Sequence, residues 1–335
     1  MAHEGSSGKG TTQALAGGTG LLFHDDFRSG FDTAAWAVQP APAPGGTLEH
    51  GDGLASTSPA GLTVVPTGTN PASGQPAFAA TTGQQPDGGG SDADHIKWLA
   101  FAQHLATSGY PGFDIPETGS LTCASSLSAE TPGVSGHPFG DAVADPDSDV
   151  RLAAADLVVA DLQTGIVADF SLTNSQVFVV YERLRAPGSS YASFAYAVPV
   201  ATRTPDQYHD LQVRVDEGGN RVTWLLDGEE VLSTDRIGYR TFPRKYQVLD
   251  HGGAEEQVTL RQVVTGFALV TVLDAAGPDG KSLVQLDSTP GFYFDPQRGA
   301  PAPQSFHRTE GRQDERLWGQ GVILRVRHIT VTTAS

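Results

Sequence analysis

An acidic residue in an apolar stretch is the first candidate for chemistry in this chain. In the run 177–184, VFVVYERL, Glu182 falls on one face of a predicted strand with Phe178 and Val180, whereas the neighbouring Tyr181 falls on the other face. A carboxylate among apolar neighbours is costly unless it is paired, hydrogen-bonded or protonated. Glu182 is therefore interpreted either as a member of a structural ion pair or as an acid/base with a raised pKa.

Further polar residues surround this candidate in the predicted sheet. Asp169 alternates with apolar residues on the preceding strand, and a turn at Thr173-Asn174 brings that strand beside Glu182. His209 shares an apolar face with Leu211, where a histidine is either a hydrogen-bonded core residue or a proton carrier. As a hypothesis, Glu182 moves the proton with Asp169 nearby, and Tyr181 or His209 polarises the substrate. The candidates for substrate binding are Trp98, Tyr196, Trp224, Arg185 and His104.

The aromatic members of that set have a second interpretation. Trp98, Tyr196 and Trp224 would stack on a substrate ring or, equally well, fill the core of a sandwich.

Two motifs suggest bound ligands, but the residues around them do not fit a ligand site. The run 275–282, AAGPDGKS, fits a loose phosphate-loop pattern, but the segment after it is short, strand-like and closed by Pro290, so a turn is favoured. The run Asp145–Asp149 begins like a calcium loop, yet Val150 stands where the sharp turn requires glycine. We expect a solvated acidic loop there, no catalytic metal and no cofactor.

Strand and turn signals dominate the rest of the chain. Leu211, Val213 and Val215 alternate with polar residues, and Asp227-Gly228 is typical of a tight hairpin turn. The segment 95–105 fits either a helix or a strand, and the Ala-rich segment 152–162 is predicted to be a helix. Further strands are expected at 165–172, 176–184, 191–200, 258–273 and 282–286, and a long loop at 290–316.

Composition supports an all-β protein with long loops and at most one or two short helices. Among 335 residues there are 40 Gly and 22 Pro, which favours many short strands joined by turns. A net charge of -17 argues against nucleic-acid and membrane partners, and no apolar run is long enough for a membrane span. Residues 1–20 lack the features of a secretory signal and are predicted to be a disordered tail, so a cytoplasmic location is expected. The single cysteine, Cys123, is predicted to be a packed core residue.

Several motifs resemble those of one large group of β-sandwiches. The segment from Tyr208-His209 to Trp224 and Asp227-Gly228, and the opening segment from Phe23 to Trp36, resemble concanavalin A-like jelly rolls, which include lectins and laminarinase-type glucanases. This resemblance implies a concave sheet and pairing of the first and last strands, and fold alone assigns no function. The E-x-D-x-x-E strand of the laminarinase-type enzymes is absent, as is G-x-S-x-G.

A more specific resemblance covers roughly residues 21–335. The runs 94–99, 112–116, 165–174 and 181–184 are similar to a family of uncharacterised bacterial and fungal jelly-roll proteins, some sited near natural-product genes. It implies a setting in secondary metabolism and carries no catalytic residues.

The sequence therefore predicts one elaborated jelly-roll domain over 21–335 with a pocket on its concave sheet for a small organic molecule. The main hypothesis is a cofactor-independent cyclase or isomerase of natural-product biosynthesis. The first alternative is a carbohydrate-binding, lectin-like module without catalysis. The second is a glycoside hydrolase or polysaccharide lyase with unfamiliar residues. Oligomeric state is left open.

Overall fold

Two nine-stranded antiparallel sheets pack face to face in the computed structural model. The structure describes residues 14–15, 19–43, 46–81, 94–186, 188–309 and 312–335. Within these residues no helix reaches seven residues, so the predicted all-β sandwich with long loops is confirmed.

The first sheet contains the N- and C-terminal strands, numbered here in chain order along the whole protein. Its main path runs β1 (Ala14–Leu15), β2 (Thr19–Asp25), β24 (Ile323–Ala334), β12 (Ser120–Glu130), β17 (His209–Asp216), β18 (Arg221–Leu226) and β19 (Glu229–Thr234), and β24 also pairs with the hairpin of β6 (Leu54–Ser58) and β7 (Gly61–Val65).

The second sheet is built mainly from the middle of the chain. Its order is β20 (Gln247–Asp250), β16 (Phe194–Thr202), β15 (Gln176–Arg183), β14 (Ile166–Leu172), β13 (Ala154–Asp161), β21 (Gln262–Val270), β10 (Ile96–Ala102) and β3 (Trp36–Val38), with β11 (Phe113–Asp114) also on β21.

Small elements complete the described structure. Three two-stranded sheets are formed by β4 (Ala41–Ala43) with β5 (Gly46–Leu48), β8 (Gly68–Thr69) with β9 (Pro76–Ala77), and β22 (Lys281–Val284) with β23 (Ser305–Arg308). The helical pieces include α1 (Gln313–Arg316) and 3-10 turns at Val134–Gly136, Gly140–Ala142 and Arg244–Tyr246. The loop predicted at 290–316 therefore contains β23 and α1.

The sandwich core follows from alternation along each strand. In β17 and β15 every second side chain is buried between the sheets, including Leu211 and Val213 from the first sheet and Val177 and Val179 from the second. Side chains of the opposite parity lie on the outer faces. The outer face of the second sheet thus carries Glu182, as the alternation predicts.

The helix predicted over residues 152–162 is wrong. This segment forms β13, in which all eight residues are buried, because both faces of the strand are covered. A strand buried on both sides has no polar alternation, and its alanines resemble a helix by composition. The ambiguous segment 95–105 resolves as strand β10.

The chain ends meet as expected from the resemblance. β2 pairs with the final strand β24 from Thr19↔Ala334 to Asp25↔Ile329. Strand structure already begins within the predicted tail, because residues 14–15 pair with Thr19 and Gly20. Residues 1–13 and 16–18 lie outside the described residues. None of the described helices is long and apolar enough to cross a membrane.

Cys123 lies on β12 inside the core, as predicted, and burial raises the pKa of its thiol to about 12. Because the thiolate is the reactive form, we expect native protein at pH 8 to resist a disulfide reagent such as DTNB. The same reagent should modify one thiol per chain in guanidinium chloride. Stoichiometric labelling of the native protein within minutes would contradict this burial.

Candidate active site on the outer face of the second sheet

Three carboxylates form a diagonal across three adjacent strands. Asp156 lies on β13, Asp169 on β14 and Glu182 on β15, all on the outer face. The register pairs Asp156 with Ser171, whereas Asp169 pairs with Val180, so each carboxylate lies one strand over and two residues along from the next. We call these three residues the carboxylate diagonal.

Burial makes the first two members unusual. Asp156 is 8% exposed and Asp169 is 6% exposed. Burial raises the pKa of Asp156 to about 7, and a bond from Ser171 opposes the rise. The pKa of Asp169 is raised well above its usual range, first by burial and then by the negative charge of Asp156, with a smaller contribution from Glu182. The raised pKa favours the protonated, neutral form of Asp169.

The surroundings of the diagonal explain these shifts. Asp169 Oδ1 accepts a hydrogen bond of 2.7 Å from the main-chain N–H of Val159, in the gap between two paired stretches of β13 and β14. Asp156 Oδ1 has no hydrogen-bond partner among the described residues. A buried carboxylate oxygen without a partner favours the protonated form of the pair.

Apolar side chains cover the outer face next to the diagonal. They form a second hydrophobic cluster, separate from the sandwich core, which we call the outer apolar patch. Its buried members are Leu99, Ala154, Val158, Ala160, Val167, Val264, Ala268 and Val270. On β15 the outer side chains, including Phe178, Val180 and Glu182, are only half-buried, so this face is more open towards β15.

Two of the residues predicted from the sequence come together here, and the aromatic set does not. The hairpin of β14 and β15 brings Asp169 beside Glu182, as the turn at Thr173-Asn174 predicts. Tyr181 points the opposite way, into the core, and its hydroxyl accepts a 2.7 Å hydrogen bond from the Gly238 N–H.

The expectation that aromatic side chains wall the site beside Glu182 is therefore corrected. Trp98, Tyr196 and Trp224 are at most 2% exposed and fill the space between the sheets. Burial raises the pKa of Tyr196 to about 12, and the pKa of Tyr181 is raised for the same reason. Successive residues of a strand face opposite sides, so these rings lie across the sheet from Glu182.

The remaining predicted residues also lie away from the diagonal. His209 is buried in the first sheet and its Nδ1 lies 2.8 Å from Asp227 Oδ2, which matches the interpretation as a hydrogen-bonded core histidine. His104 bonds the carbonyl of Gly112 through Nδ1 and stacks on Phe113.

Arg185 is used structurally as well. Its guanidinium donates to the Phe292 carbonyl at 2.9 Å and lies over the Phe292 ring.

In the acidic loop 145–149 and the glycine-containing loop 275–282, polar groups form hydrogen bonds within the protein. Asp149 binds Arg151 through both carboxylate oxygens, and Gly280 N–H donates to the Gly277 carbonyl in a turn that leads into strand β22 rather than a helix. Among the described residues no group of three or more His, Cys, Asp or Glu side chains is arranged to hold a metal ion. The absence of a cofactor stays a prediction.

Asp156 is the member of the site that the sequence reasoning missed. The helix prediction over residues 152–162 removed it from the sheet. The available signal was its parity with Val158 and Ala160, which places it on the same outer face once the segment is read as a strand.

The sequence profile of a family of unknown function, DUF6081, matches residues 24–335. The chain belongs to this family. A relative is Uncharacterized protein L829 of Acanthamoeba polyphaga mimivirus, 26% identical, with the match covering 56% of this chain and 65% of the viral protein, so less than two thirds of that relative is spanned.

Solved structures with a similar fold include carbohydrate-active enzymes. An endo-1,3-beta-glucanase from Streptomyces sioyaensis is 14% identical with a TM-score of 0.47, covering 97% of this chain and 100% of that chain. A beta-glucanase from Bacillus licheniformis is 11% identical with a TM-score of 0.41, covering 96% and 100%.

The raised pKa of Asp156 predicts a pH-dependent stability. The pKa of Asp156 in the folded protein, about 7, exceeds the ordinary value of 3.8, so its contribution to stability is fully present below about pH 4 and is lost as pH rises through 7. The loss is on the order of 4 kcal/mol of unfolding free energy, at about 1.4 kcal/mol per pH unit. Asp156→Asn should therefore melt at a higher temperature than wild type at pH 8 and at a similar temperature at pH 4, by calorimetry.

Asp161→Asn on the same strand is the matched control. Asp161 accepts hydrogen bonds from the Gln163 N–H and from Gln262 Nε2, so its amide variant should be destabilised at both pH values. The melting temperature of Asp156→Asn should exceed that of wild type by more at pH 8 than at pH 4. If this difference does not grow between the two pH values, the pKa of Asp156 is not raised.

Proposed function

We propose that this protein is an inverting glycoside hydrolase in which Asp169 is the general acid and Glu182 the general base. The observation that supports this proposal is a buried carboxyl group with a raised pKa, placed diagonally from a second carboxyl group on the next strand. Diagonal neighbours on adjacent strands lie roughly 7–8 Å apart. Inverting glycosidases hold their two carboxyl groups about 6.5–9.5 Å apart, leaving room for the attacking water.

Each carboxyl group has an environment suited to its role. The raised pKa of Asp169 favours its protonated form, which can donate a proton to the glycosidic oxygen as the bond to the anomeric carbon breaks. Glu182 lies on the more open side of the face, where it takes a proton from the water that attacks the anomeric carbon. The two proton transfers balance, and the products are a free sugar end and an alcohol.

Asp156 has a positioning role in this mechanism. Its negative charge raises the pKa of Asp169 and so extends the pH range over which the acid is protonated. Asp156 lies one strand further from Glu182 than Asp169 does, and it acts on the reaction through Asp169.

Activity is tested by incubating the protein with soluble β-glucans, chitin oligosaccharides and alginate and measuring new reducing ends. The first-formed anomer, followed by proton NMR, should be inverted relative to the substrate. A retained anomer, or an ultraviolet-absorbing unsaturated end typical of a lyase, would overturn the assignment.

The acid and base are tested by Asp169→Asn and Glu182→Gln, each of which should lower kcat by about 10²–10⁴-fold. Circular dichroism checks that both variants fold. Unchanged kcat in either variant would remove that residue from the mechanism.

Asp156→Asn is expected to move the pH profile rather than abolish activity. Without the charge of Asp156, the pKa of Asp169 falls, so the alkaline limb of kcat shifts to lower pH. Asp161→Asn, on the same strand, should leave the limb in place. An unshifted limb in the Asp156 variant would show that its charge does not act on Asp169.

A second candidate, the cofactor-independent cyclase or isomerase, is favoured by the outer apolar patch beside the diagonal. An apolar substrate would pack at the edge of this patch, against the half-buried Phe178 and Val180, and the same acid and base would move protons without water. Extract of the source organism, treated with wild type or with Glu182→Gln and compared by mass spectrometry, would then show an isomeric product that depends on Glu182. The first candidate instead requires new reducing ends.

A further inference from the structure

A depression of about 600 Å³ lies on the outer face of the first sheet, on the side of the sandwich away from the carboxylate diagonal. We call it the arginine pocket. Its charged lining includes Arg28, Arg327 and Asp26, and two histidines, His24 and His328, also line it. We propose that the arginine pocket binds an oxyanion, such as the carboxylate of an acidic sugar.

A stacked pair forms one wall of the pocket. The guanidinium of Arg327 lies 3.9 Å from the centre of the Tyr208 ring. Arg327 belongs to β24 and Tyr208 immediately precedes β17, the two strands that flank β12. Their contact must therefore cross β12, whose outer side chains there are the small, buried Ser126 and Ser128.

A register irregularity sets the position of Arg327. Val326 pairs with Leu127 and His328 with Ser126, so Arg327 is the extra residue of a β-bulge. Bulges re-aim the side chain of the extra residue and recur next to binding sites. The neighbouring wall is the turn at Pro59–Ala60, held against the bulge by Gly61, where a Cβ would lie 2.0 Å from the Val326 carbonyl oxygen.

The charge balance of the lining favours an anion. Asp26 is its acidic member, and this carboxylate already faces Arg28 at 3.7 Å and accepts the main-chain N–H of Arg28. Arg327 adds a further positive charge, in a protein whose net charge is -17. At physiological ionic strength charges act over about 8 Å, so the local arginines outweigh distant acids.

The geometry also favours a planar oxyanion. Guanidinium groups bind carboxylate and phosphate oxygens through paired hydrogen bonds. Tyr208 and Pro59 offer apolar surface beside them for the ring that carries the oxyanion. A sugar acid combines both features, whereas inorganic phosphate offers the charged oxygens without the ring.

Isothermal titration calorimetry at low ionic strength with sodium glucuronate, glucose and inorganic phosphate tests the proposal. Glucuronate should bind with a dissociation constant in the millimolar range, phosphate should compete with it, and glucose should not bind. Tighter glucuronate than phosphate would identify the sugar acid as the source of the oxyanion, and the reverse order a free phosphate. Absence of binding by both anions would overturn the proposal.

Variants locate the site. Arg327→Met should weaken binding about tenfold or more. Arg28→Gln should do the same, and since the Arg28 side chain is 67% exposed, this second variant tests the pocket even if Arg327→Met disturbs the sheet. Arg325→Met is the matched control on the same strand, because Arg325 pairs with Glu130 outside the pocket. Undiminished affinity in both pocket variants, or an equal loss in the control, would overturn the assignment.

Binding of glucuronate in the arginine pocket does not depend on the proposed hydrolase activity. Asp169→Asn should bind glucuronate as tightly as wild type, because the two sites lie on opposite outer faces. Loss of binding in Asp169→Asn would contradict two separate sites.

Discussion

Dehydration of two carboxyl groups on an otherwise apolar sheet face is the constraint from which the candidate chemistry follows. Strands β13, β14 and β21 are buried throughout, and their outer side chains are mostly alanine and valine. In that setting an aspartate is held as the neutral acid unless a cation or several donors compensate. Asp156 and Asp169 have too few donors, so the pKa of each carboxyl group is raised.

The register of the sheet sets the spacing between these carboxyl groups and Glu182. The short turn between β14 and β15 fixes which residues face each other, and a shift of one residue would move Glu182 into the core and Tyr181 outward. The aromatic packing of Tyr181 against Trp224 and Phe242 makes such a shift costly. The core thus indirectly secures the spacing of the carboxylates on the other side of the sheet.

Much of this architecture was predictable because apolar and polar residues alternate along half-buried strands. β15, β17 and β18 follow the pattern closely, and the Asp227-Gly228 turn ends β18 as expected. The aromatic residues were ambiguous for a physical reason: a ring that fills a core and a ring that stacks on a ligand have the same type and the same periodicity. Only the assignment of faces separates them.

The missed residue has a different cause. Asp156 lies on a strand covered on both sides, where alternation disappears and alanine content resembles a helix. The arginine pocket was also beyond sequence reasoning, since it joins β2, the turn after β6, the start of β17 and the bulge in β24. Residues that are distant along the chain meet there only through strand order.

Because the Val159 amide donates a hydrogen bond to Asp169, the chemical shift of that amide responds to the charge of the carboxyl group. When the carboxyl group loses its proton, this amide faces a full negative charge and its proton resonance should move downfield. One peak in a nitrogen-edited NMR spectrum would then report the ionisation of a buried acid in the resting protein, without any substrate.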